Sequence, residues 1–160
     1  MKWYHVTNYY RGKEFTFEPN IPYYLRKGED RKTPRICVTP VWRHSLRSII
    51  LIKRQREFYV YSTEDSPINP VEMRKRLLKE KKIRKNCNNY QMLEDGFVNK
   101  EHWFITPTKM KLEGVAKLSK NQYAGILMGF GFTNEPDVNK IELTSYKEKT
   151  IEERFKEIQS

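Results

Sequence analysis

The chain has 160 residues and a formal net charge of +11, from 31 Lys and Arg against 20 Asp and Glu. That length suits a single domain, and 38% hydrophobic with 13% aromatic residues suits a core built on rings. The opening MKWYHVTNYY has no apolar stretch of the kind a secretion signal needs, and no run of about 18 apolar residues follows, so no membrane span is expected.

The positive charge points to an anionic partner, either nucleic acid or an acidic protein surface. Cys37 and Cys87 are far apart with no CxxC spacing, which argues against a disulfide framework and for a cytoplasmic setting.

Lys2 to Thr7 alternates as a first strand, with Trp3, His5 and Thr7 on one face and Tyr4 and Val6 on the other. Residues 8–34 read as a long irregular connection, because Pro19, Pro22, Gly28 and Pro34 forbid a continuous element; Glu14 to Phe17 is a short strand candidate within it. Arg35 to Val38 is a strand bracketed by Pro34 and Pro40. A helix is expected over 41–52, since Trp42, Leu46, Ile49 and Ile50 recur on one face. Glu57 to Thr63 has the clearest strand pattern, Phe58 and Val60 facing one way and Tyr59 and Tyr61 the other.

Past the turn at Pro67 and Pro70, Val71 to Lys85 reads as a basic helix in which eight of the fourteen residues from Glu72 are Lys or Arg. Such a run is either a solvated face or a phosphate-tracking surface, the latter through Arg74, Lys75, Arg76, Lys79, Lys82, Arg84 and Lys85. Glu101 to Ile105 and Lys111 to Leu118 are strand candidates, Asn121 to Phe130 a helix, and Lys140 to Tyr146 a strand. The last helix begins with a capping box, Thr150 and Glu153, and is expected to bury Ile151, Phe155 and Ile158. The sum is an α+β single domain over 1–160 with a mixed or antiparallel sheet and flanking helices. Its core is expected at about 2–118, with a strand–helix extension over 119–160.

The three histidines, His5, His44 and His102, have no zinc-ligand spacing with each other or with a cysteine, so no metal is expected. Three stretches stand out together: Tyr4-His5-Val6-Thr7, Ile36-Cys37-Val38-Thr39 leading into a helix, and Glu101 ahead of His102-Trp103-Phe104-Ile105. That ordered trio resembles the ADP-ribosyltransferase superfamily in its histidine-bearing members, and the resemblance spans roughly residues 3–118. It implies an ADP-ribosyltransferase-like fold and NAD as a substrate. His5 matches the histidine that holds the adenosine ribose, with Thr7 in the same Tyr-His-hydroxyl motif. Thr39 matches the hydroxyl at the end of the second strand, and Glu101 the catalytic glutamate. The nicotinamide-stacking aromatic has several counterparts: Tyr59, Tyr61 or Trp42. Arg35 is a candidate for the pyrophosphate.

On that reading the chain transfers ADP-ribose to a macromolecule, with nucleic acid a candidate acceptor. A carboxylate aimed at the sugar as positive charge builds there favours the transition state over the ground state.

Two other classes fit the residues. One is a non-enzymatic basic module of the viral or mobile-element inhibitor type, binding nucleic acid or an acidic protein through the 72–85 run and the aromatic strands. The other is a metal-independent ribonuclease using His5 or His102 with Glu101.

Overall fold

The computed structural model describes residues 1–22, 32–50, 53, 55–69, 72, 75–76, 79–80, 100–127, 140–148 and 150–159, with the backbone alone for 47, 48 and 125–127. Its main sheet is antiparallel in the order β1 (Trp3–Thr7), β4 (Glu57–Thr63), β6 (Thr108–Lys117), β2 (Glu14–Phe17), and a short β7 (Leu143–Thr144) also pairs with β6. A second pair joins β3 (Ile36–Val38) to β5 (His102–Phe104). Alternation assigns the faces as the sequence implies. Tyr4, Val6, Phe58 and Val60 look outward onto α1 (Trp42–Ile50), whose Leu46 and Ile50 are fully buried against them.

The opposite face is a second core of Phe17, Tyr61 and Met110 from the main sheet with Ile36, Val38 and Phe104 from the small one. What joins the two sheets is β3. Trp103 of β5 spends its N–H and C=O on Ile68, so the β3 residues that bond β5 are those flanking Cys37. Arg35 and Thr39 direct their backbone groups to the other edge. Arg35 exchanges both bonds with Asn20, just past β2, and Thr39 exchanges both with Tyr4 of β1. The main sheet therefore curls until its two outer strands meet opposite ends of β3, closing a ring around the aromatic core.

Between Val60 and Tyr61 the β6 partner jumps from Gly114 to Leu112, so Glu113 bulges out of the ladder. Its carboxylate accepts hydrogen bonds from Ser62 Oγ and Lys2 Nζ. Partial burial alone would raise its pKa, but those two bonds together hold it below the ordinary carboxylate value.

The strand near the end of the chain is shorter than the pattern suggested. The strand expected over 140–146 pairs only at Leu143–Thr144, and α2 is described over Lys120–Leu127, residues 128–130 lying outside the described set. Asn69 Oδ1 accepts from the Glu72 N–H to start a helix in which Glu72, Lys75, Arg76 and Lys79 are helical. The rest of the expected 71–85 helix, including Arg74, Lys82, Arg84 and Lys85, lies outside the described residues.

One expectation is corrected. The final helix α3 (Ile151–Gln159) begins at its Thr150 cap but buries nothing: Ile151 is 86%, Phe155 62% and Ile158 83% exposed. Its amphipathic period is real, but among the described residues no element packs on the apolar side. No helix among the described residues is long and apolar enough to cross a membrane.

Candidate functional site

The three motif-bearing strands are neighbours. β3 lies between β5 on one edge and the Tyr4 position of β1 on the other, although they are widely separated in sequence. Continuing the β3–β5 register by one step sets Glu101 opposite Thr39, which is itself bridged to Tyr4. The candidate residues then divide by alternation into two groups.

Arg35, Thr39 and Glu101 belong to the face that carries Cys37 and Trp103. The Arg35 guanidinium lies 4.3 Å from the centre of the Trp103 ring and donates to Thr33 O at 3.1 Å. Trp103 Nε1–H donates to Glu101 Oε1 at 3.0 Å. Burial pushes the Cys37 thiol well above its usual value; the nearby Glu101 carboxylate adds to that rise and Arg35 opposes it, so both flank the sulfur. A thiol buried and held protonated in this way is a poor nucleophile near neutral pH. Thr39 is 3% exposed and its hydroxyl is spent on Val41 O and Ser45 Oγ, each at 2.7 Å. That bonding fastens the end of β3 to the start of α1.

His5, Thr7, Tyr59 and Tyr61 belong to the inner face. His5 Nδ1 bonds Cys37 O at 2.8 Å, filling the one β3 carbonyl between the Asn20 and Tyr4 bridges. Donation from Nδ1 leaves the lone pair on Nε2. The ring meets Phe17 edge-on at 4.8 Å. Burial lowers the His5 pKa, the Cys37 carbonyl works against that, and the Arg11 guanidinium adds to the lowering. Glu101, on the other face, receives the Trp103 indole N–H. The two residues expected to share one NAD molecule thus stand on opposite faces of the strand layer.

Tyr61 is fully buried, and its hydroxyl accepts from Arg11 N–H and donates to Gly12 O, both at 2.8 Å. No face of its ring is open to stack on a base. Thr7 Oγ1 donates to Tyr9 O at 2.7 Å, so Thr7 and Tyr61 both serve the turn after β1. Trp42 packs against the core on the α1 side with Arg43 over its ring at 4.4 Å. His102 stacks at a tilt on Trp3, 4.3 Å between centres, and its Nδ1 bonds Lys100 O. Tyr59 remains, only partly buried, on the inner face.

Around Tyr59 the structure assembles residues that the motif pattern passed over. Tyr10 and Tyr146 stack at 3.8 Å and 12°, and Tyr59 presents its ring to both, at 5.9 and 6.1 Å. Arg11 lies 5.7 Å from the ring centres of both Tyr9 and Phe15. The only sequence signal was Tyr9-Tyr10-Arg11 inside a polar connection; Tyr146 is contributed from the far end of the chain. Among the described residues no group of His, Cys, Asp and Glu is arranged to hold a metal ion.

Comparison with known proteins gives no match to a family model, to a curated protein or to a solved structure.

Proposed function

We propose that the chain is an ADP-ribosyltransferase-like protein that engages NAD at the junction of β1, β3 and β5. One observation carries the reading: the strands bearing the His5, Thr39 and Glu101 motifs lie side by side, with β3 in the middle. Strand neighbours so distant in sequence do not follow from local propensity. In this reading His5, oriented by Cys37 O, offers Nε2 to a ribose hydroxyl. Glu101, oriented by the Trp103 indole, supplies the negative charge that an oxocarbenium-like sugar needs as nicotinamide leaves.

The separation of His5 and Glu101 onto opposite faces favours a second reading, a relative that binds an anionic partner and does not transfer. Radiolabelled NAD, incubated separately with protein, DNA and RNA acceptors, decides between them. Glu101→Gln is the control, since the amide oxygen still accepts the Trp103 bond and the fold is kept. Label transfer or nicotinamide release that this variant loses supports the first reading. Neither product from the wild-type chain refutes it and leaves the binding role.

A further inference from the structure

We propose that Tyr9, Tyr10, Tyr59 and Tyr146, with Arg11, form a base-stacking site for single-stranded nucleic acid. The proposal stands apart from NAD chemistry and gives the anionic-partner reading a surface.

The turn that carries the site is pinned in place. Thr7 Oγ1 holds Tyr9 O, and Asn8 and Gln55 exchange hydrogen bonds at 3.2 and 3.1 Å. Tyr61, from inside the core, holds both Arg11 N–H and Gly12 O, and Gly12 takes φ 101, where a side chain would be strained. Lys13 O then accepts from Leu112 N at 2.8 Å, returning the chain to β6.

A loop tied at each of these points presents its aromatics without an ordering cost on binding. Tyr9 is 61% and Tyr10 36% exposed, whereas the described rings on the sheet strands are buried or half-buried. Arg11 and Lys13 are exposed beside them, and Lys147 follows Tyr146. Aromatic faces take any base, while the guanidinium and ammonium groups track the phosphates. A duplex offers no free base faces, and an acidic peptide has no rings for the tyrosines to stack on. Charge and exposed aromatics together therefore select an unpaired strand.

The test is fluorescence anisotropy with a labelled oligothymidine of about 20 nucleotides. Its duplex and polyglutamate serve as competitors. The single strand is expected to bind best, with Tyr9→Ala and Tyr10→Ala each weakening it about five- to a hundredfold, the range of one base–aromatic stack. Tyr10→Phe keeps the ring and is expected to bind as wild type. Arg11→Gln is expected to lower the salt slope by about one. Tyr9 is exposed enough that its loss leaves the fold intact, so an unstable Tyr10→Ala does not blunt the test. No binding of the oligonucleotide overturns the proposal. So does unchanged affinity in Tyr9→Ala, or competition by polyglutamate equal to that by the single strand.

Discussion

His5 couples the fold to pH. Its folded pKa lies below the ordinary 6.5 because burial and Arg11 disfavour the cation. The unfolded chain therefore binds the extra proton first as pH falls. Stability from this group is complete above about 6.5 and declines below it as the folded state resists protonation. A melting series from pH 7.5 downward should show a fall in Tm that His5→Asn flattens, since the amide can donate to Cys37 O and has nothing to titrate. An unchanged slope in the variant would assign the acid sensitivity elsewhere. Tyr61 is the other residue-scale test. Tyr61→Phe keeps the buried ring but strips two backbone groups of their partner, at a cost of about 1–2 kcal/mol in urea unfolding.

At the scale of elements, the close approach of β7 to the sheet depends on one glycine. A Cβ at Gly114 would stand 2.9 Å from Thr144 O and 3.2 Å from Leu143 Cβ. Gly114→Ala should therefore push β7 off the sheet and cost about 1–3 kcal/mol, read as a lower urea midpoint. The α1–sheet contact is the opposite case, a close-packed seam, and Leu46→Ala at its fully buried centre should cost about 2–5 kcal/mol. In α3 the reverse holds. Phe155→Ser should leave the unfolding midpoint within about 0.5 kcal/mol of wild type, because the ring is 62% exposed. A large loss would mean that the apolar side of α3 is covered in solution.

Considered as a whole molecule, the chain is a curled antiparallel sheet whose outer strands are sewn together by β3, with α1 outside and a ring-rich core inside. Cutting the seam tests that description. Asn20 and Tyr4 meet β3 through backbone hydrogen bonds, so Thr39→Val, which removes the hydroxyl bonds to Val41 O and Ser45 without changing shape, should loosen the β3–α1 corner first. Hydrogen exchange at Thr39 and Tyr4 should rise in that variant before exchange in β4 does.

The sequence by itself determined the local elements and their faces. Period-two alternation at Trp3–Thr7 and Glu57–Thr63, the α1 stripe and the Thr150 cap are all local properties of consecutive residues, and each is present in the fold. Which residues meet was another matter. That Tyr10 stacks on Tyr146, that His5 reaches the Cys37 carbonyl, and that Glu101 turns to Trp103 and away from His5 are outcomes of pairing between distant segments. A one-step change of register reverses the face of every side chain in a strand, and no local pattern in this chain sets the register between β1, β3 and β5. The stripe on α3 carries the same lesson from the other side. An amphipathic period states that a face can be buried, while only the tertiary structure supplies, or withholds, something to bury it against.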